Sequence, residues 1–190
     1  MDNETAESNA SASAISKHRL ETLVDGVFAI AMTILVLELK VPELADERSV
    51  PELGRALQQQ FPTVFSYVLS FLVLGAFWYR HNVQARHFRV INAGMLVLQF
   101  VQLAAAASFP FFAALLGRYG PNPLSPVAYG GCILVYAWAS IATWIVAKRS
   151  GCMSDALTPA DYRRSKRRGL LLCAIVSVVF GVDLGMLFIR

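Results

Sequence analysis

Apolar stretches close to 20 residues long recur five times along this chain of 190 residues. That recurrence limits the fold more than any single motif. Hydrocarbon offers no water to backbone N–H and C=O groups, so a segment that crosses it must satisfy them internally, as an α-helix does. The spans read as about 21–39, 61–79, 90–116, 127–147 and 169–189. Composition agrees: 56% of residues are hydrophobic and only 16% charged, with a mean hydropathy of +0.50. A soluble domain of this size carries less apolar and more charged residue. The expected fold is all-α, a polytopic transmembrane helical bundle.

Local signals punctuate the spans. Val41, Pro42 and the acidic segment 43–53 (ELADERSVPEL) end the first, and 53–60 reads as an interfacial lead-in to the second. The third is long enough to be tilted or to break near Pro110. GRYGPNPLSP at 117–126 is a tight turn. The first 16 residues are polar and small, without the basic start and apolar core of a signal peptide. Residues 1–18 therefore read as a disordered polar tail and 19–190 as the membrane domain.

Basic residues set the orientation. Lys17 and Arg19 flank the first span. Arg80, Arg86 and Arg89 follow the second. Lys148, Arg149, Arg163, Arg164, Lys166, Arg167 and Arg168 follow the fourth. These are 12 of the 17 Lys and Arg residues. The alternate connections hold only Lys40, Arg48, Arg55 and Arg118, diluted by Glu43, Asp46, Glu47 and Glu52. The amino terminus is thus expected in the cytoplasm. The pI of 9.1 is a topological signal. It is not a nucleic-acid footprint, because the basic residues flank spans and form no patch interleaved with aromatics. The run at 163–168 also suits anionic headgroups.

Few residues inside the spans need explaining. Asp25 opens a run that is otherwise apolar, and an ionisable group there is costly. Glu21, one turn earlier, gives no relief, so Asp25 either caps a helix starting at Gly26 or pairs with another span. Arg80 and His81 end the second span at the matching depth, with Trp78 on the face of His81. Ile30, Thr33, Ile34 and Leu37 lie three and four apart and share one helical stripe. Such a stripe serves core packing or lipid contact, and in an assembly it can line a narrow pore. The amides of Gln99 and Gln102 call for interhelical hydrogen bonds. Asp183 stands near the outer end of the last span. Cys132, Cys152 and Cys173 are too scattered for a metal site or a disulfide framework. His81 and His87 fit no common metal spacing. No HExxH, Walker, GxSxG or paired-carboxylate pattern is present, so an enzyme reading has little to stand on. A TVGYG-like filter is also missing.

Arg19-Leu20-Glu21, Asp25-Gly26-Val27-Phe28-Ala29-Ile30-Ala31, Thr33 and Leu35-Val36-Leu37-Glu38 closely resemble the first-helix signature of bacterial potassium channels related to the endosomal and lysosomal potassium channel. Trp78 with His81 and Phe88 looks like the second-helix motif of that family. Pro110-Phe111 with Ala114-Leu115-Leu116-Gly117 looks like its third-helix end. The resemblance covers about residues 19–150. It implies a homotetramer of six-helix subunits in the bacterial inner membrane, with the first helix lining a central pore. The constriction would fall on Ile30, Ile34 and Leu37, with Thr33 as the hydroxyl layer that discriminates among ions. A polar cluster would fall on Arg19, Asp25, Trp78 and His81. Two departures stand out. Leu23 and Val24 occupy the places of a Phe-Ser pair, and Gln99 that of an asparagine. Five spans are read where the family has six, so either the chain is cut short after the fifth or this member ends early.

The leading expectation is a potassium-selective cation channel with no cofactor beyond its permeant ion. The partners expected are the bilayer, potassium and further copies of the chain. A proton-coupled transporter, with Asp25 and His81 as a relay, and a non-conducting membrane scaffold are the alternatives.

Overall fold

The computed structural model describes residues 17–154 and, beyond them, 158, 160, 162–164, 167, 169–171, 173–174, 177–178, 180–181 and 185. The expected tail up to residue 16 and Asp183 lie outside the described residues. Helix α1 is Lys17–Leu35, continued by a 3-10 turn, Val36–Glu38. It starts two residues inside the stretch expected as tail. A short amphipathic helix, α2, spans Val50–Gln59. Three long helices follow: α3, Phe61–Ala85; α4, Ala93–Tyr119; and α5, Leu124–Arg149. With α1 and its turn, these give four helices long and apolar enough to cross a membrane.

The ends obey local chemistry. The Ser49 side chain caps α2 by accepting from the Glu52 N–H, while Glu52 Oε1 accepts from the Ala45 N–H at 2.9 Å. These bonds stitch the acidic connection to the helix start. Asn92 Oδ1 caps α4 through the Met95 N–H at 2.8 Å. Gly151, at φ +64°, reverses the chain after α5, a conformation open to glycine without strain. Helix α4 runs unbroken through the buried Pro110, so of the two expectations there the break does not occur. Helix α3 continues six residues beyond the expected limit of 79, to Ala85. Its polar last turns have partners: Gln84 exchanges hydrogen bonds with Ser140 of α5, at 3.0 Å to the Ser140 carbonyl and 2.9 Å from the Ser140 hydroxyl.

Lipid is as apolar as leucine, so helices in a bilayer associate through close packing and hydrogen bonds rather than release of water. Small buried residues bring α4 and α5 together: Ala105, Ala106 and Ala113 share a core cluster with Cys132, whose Sγ donates to the Ala105 carbonyl at 3.4 Å. An aromatic chain fills the centre. Phe28 of α1 meets Tyr136 of α5 edge-on at 6.1 Å, Tyr136 stacks on Phe77 of α3 at 4.0 Å, and Phe77 meets Phe109 of α4 at 6.0 Å. The hydroxyls of the two buried tyrosines on α5 are satisfied. Tyr136 donates to the Phe77 carbonyl at 3.1 Å, and Tyr129 shares a 3.2 Å bond with Ser70.

Helices α3 and α4 cross most tightly at Gly117. A Cβ there would lie 3.0 Å from the Thr63 Cα and 3.3 Å from the Ser66 Cβ. Ser66 Oγ donates to the Ala113 carbonyl at 2.6 Å beside it. Backbone cannot yield as a side chain does, so Gly117→Ala is expected to cost about 1–3 kcal/mol. Loss of the folded species on heating in detergent measures it; an unchanged melting point would show that the helices have room to part.

Every described position from 160 to 185 is helical. Its partners on α5 descend as its own numbers rise. Tyr162 stacks on Trp144, Gly169 approaches Ile141, Cys173 packs with Ala137 and Ile141, and Phe180 lies against Gly130 and Gly131. These described residues are helical and run antiparallel to α5, where the fifth span was expected.

The basic connections meet at one end of the bundle. Lys17 Nζ donates to the Phe88 carbonyl at 2.9 Å. The Arg89 N–H bonds the Cys152 carbonyl at 2.9 Å, and the Ser154 N–H bonds the His87 carbonyl at 2.8 Å. At the opposite end, Gln60 Nε2 donates to the Lys40 carbonyl at 2.7 Å. The charge alternation in the sequence therefore corresponds to a physical sidedness.

Candidate functional site

Helix α1 has two unlike faces. Leu20, Val24, Phe28, Ala31 and Leu35, spaced four, four, three and four apart, are buried against the rest of the subunit. Ile30, Ile34 and Leu37 point away from it, 60%, 41% and 69% exposed, and Thr33 is exposed with them. The four residues singled out by spacing thus share a face that the subunit itself leaves uncovered. Leu37 belongs to the 3-10 turn rather than to the α-helix. The tighter winding there turns Leu37 nearer to the line of Ile34, three residues earlier, than a continued α-helix would.

Thr33 sits between the aliphatic layers. Its hydroxyl donates to the Ile30 carbonyl at 2.8 Å, three residues back. The proton is engaged inward, which leaves the oxygen lone pairs on the uncovered side.

The polar cluster forms around a different donor from the one expected. Trp78 Nε1 donates to Asp25 Oδ1 at 2.8 Å. Asp25 lies eight residues inside α1, so the helix-cap alternative fails. His81 is buried, within electrostatic reach of the Asp25 charge. Arg80 turns elsewhere: its guanidinium lies beside Gly169 of the last helix. The reason is helical phase. Positions 78 and 81 are three apart and share a side of α3, whereas 80 points across it. Arg19 is on the exposed side of α1, six residues before Asp25. At the position of the family's serine, Val24 is packed into the core.

The two amides behave differently. Gln102 Nε2 donates to Thr143 Oγ1 of α5 at 3.0 Å, the interhelical bond expected of it. Gln99 is equally buried without such a bond to a facing helix; the Oε1 of each amide has no partner among the described residues. No group of His, Cys, Asp and Glu able to hold a metal ion occurs among the described residues. Sequence reasoning missed the residues that hold α1 in place, chiefly Phe28, Phe77 and Tyr136. The signal available was Phe28 at the spacing of the buried stripe, opposite Ile30 and Ile34.

Comparison with known proteins places these features. Residues 19–110 match the family described as endosomal/lysosomal potassium channel TMEM175. A potassium channel of Streptomyces collinus is 29% identical over 175 residues, covering 90% of this chain and 82% of the relative. The human endosomal/lysosomal proton channel TMEM175 is 32% identical over 101 residues, half of this chain but only 20% of that longer protein. Among solved structures, a lysosomal potassium-selective channel TMEM175 homologue from Chamaesiphon minutus superposes with a TM-score of 0.66 at 26% identity, covering 91% of this chain and 93% of that one. Motif, relatives and fold agree in likening this membrane protein to the TMEM175 channels.

Proposed function

We propose that this chain is a potassium channel, assembled as a homotetramer, whose pore is lined by the uncovered face of α1. One observation carries the reading. Ile30, Thr33, Ile34 and Leu37 form a narrow, regular stripe that no helix among the described residues covers, while the reverse face of α1 is packed. Symmetry would turn that stripe into stacked rings. Aliphatic rings close by dewetting and open when the helices splay, and the Thr33 oxygens between them replace part of an ion's water shell. The bacterial relatives that cover nearly the whole chain carry the potassium-channel name. The basic end of the bundle, with Lys17, Arg89 and Lys148, faces the cytoplasm of a bacterial inner membrane by the positive-inside rule.

A proton-coupled carrier has less support. The hydrogen bond on Asp25 comes from an indole N–H, which does not titrate, and not from the His81 imidazole. Potassium currents across bilayers containing the purified chain test the proposal. Unitary conductance is expected. Slow, saturating uptake would indicate the carrier, and no flux the scaffold. Thr33→Val keeps shape and removes the oxygen. It is expected to shift the potassium/sodium reversal potential by tens of millivolts toward non-selectivity while leaving assembly intact. An unmoved reversal potential would remove Thr33 from ion selection.

A further inference from the structure

The last helix also has two faces, and the outer one is unexplained by conduction. Tyr162, Gly169 and Cys173 are buried toward α5, whereas Arg163, Arg164, Arg167, Leu170, Leu171 and Ala174 are exposed. The positions 163, 167, 170/171 and 174 follow one another at helical spacing, so guanidiniums stand directly above an apolar strip. Two shallow grooves lie there. One, of about 360 Å³, is lined by Arg163, Arg167, Leu170, Leu171 and Ala174. The other, of about 560 Å³, is lined by Arg163, Arg164, Arg167 and Leu171.

We propose that this flank binds an anionic phospholipid of the adjoining leaflet, with its headgroup phosphate on Arg163 and Arg167 and an acyl chain along Leu170, Leu171 and Ala174. Three observations converge. First, the charge is of one sign: among the described residues these guanidiniums form no ion pair. Guanidinium forks match phosphate oxygens bidentately. Second, the apolar strip begins one turn below the guanidiniums, the distance that separates a phosphate from the start of its hydrocarbon. A soluble anion would have no use for that strip. Third, the flank is held in a fixed direction. Tyr162 stacks on Trp144 at 5.6 Å with its planes 7° apart, Lys148 Nζ lies 3.9 Å above the Tyr162 ring, and Cys173 is fully buried. The arginines thus start from an anchored helix, which lowers the entropy lost on binding. The lipid would brace the last helix at the end of the bundle where Lys17 anchors the pore-lining helix.

The full chain in neutral detergent, titrated with dioleoylphosphatidylglycerol or dioleoylphosphatidylcholine and followed by native mass spectrometry, tests this without any ion flux. The anionic lipid is expected to bind at least tenfold more tightly. Each arginine near an anionic headgroup is worth about fivefold, so R163Q/R167Q should weaken it by about 30-fold, while R163K/R167K retains most of the binding. Glycerol phosphate, the headgroup without chains, should not compete. Equal binding of the two lipids, or an unchanged affinity in R163Q/R167Q, would overturn the proposal. Effective competition by glycerol phosphate would overturn it in favour of a soluble phosphate. Should the glutamine pair fail to fold, rising KCl applied to the native chain decides instead. The preference for phosphatidylglycerol must fall as salt screens it, and a salt-insensitive preference would overturn the site.

Discussion

Ile30→Asn is expected to raise potassium flux through reconstituted channels on the order of tenfold, the effect of removing about 1.4 kcal/mol from a barrier. Four amides in place of four sec-butyl groups would hydrate a ring that otherwise expels water, and a wetted ring no longer blocks ions. The same substitution should leave subunit stability within about 0.5 kcal/mol, because the side chain is 60% exposed and touches little of its own subunit. The two expectations separate the pore from its rival. Were the stripe turned toward lipid, the amide would sit unpaired in hydrocarbon at a cost of about 1–3 kcal/mol, and flux would not change. Stopped-flow flux and thermal melting on one preparation give both numbers. Unchanged flux with lowered stability would reject the pore assignment.

The spans were legible because length and hydropathy are properties of a segment alone. Their rims were less so. Helix α3 runs on through Arg80, His81 and Asn82 because tertiary partners accept those side chains: His81 is buried and Gln84 bonds Ser140. No window of sequence contains those partners. Asp25 shows the same limit more finely. Depth predicted the right turn of α3, since alternating topology fixes which span ends meet. Depth cannot predict phase, and the indole of Trp78 reached the carboxylate in place of Arg80. Gln99 and Gln102 read alike in sequence; only the position of Thr143 on the facing helix distinguishes them. The stripe of α1 was legible as a periodicity, but spacing alone did not separate a core-packed or lipid-facing stripe from one the subunit leaves exposed. What that face meets in the assembly is a property of several chains, and no single sequence spells it out.

The reverse face of the same helix yields the opposite phenotype. Phe28→Ala is expected to destabilise the subunit by about 3 kcal/mol, at the lower part of the range for buried phenylalanine because lipid is as apolar as the site it leaves. Phe28 is 1% exposed and ends the aromatic chain through Tyr136, Phe77 and Phe109 that ties α1 to the three helices behind it. Its removal opens a cavity in the core where α1 packs on the helices behind it. Neighbours cannot close it readily, since Tyr136 is held by its hydrogen bond to the Phe77 carbonyl. The visible result should be a lower melting temperature and a smaller yield of assembled oligomer on size-exclusion chromatography. Under the proposed pore, any surviving channels should keep their ion preference, because Thr33, Ile30, Ile34 and Leu37 are untouched. Altered selectivity with normal stability would mean that α1 is turned the other way, with Phe28 toward the ions. Substitutions at 28 and 30 sit on opposite sides of one helix, two residues apart, and their contrast fixes its rotation without an image of the assembly.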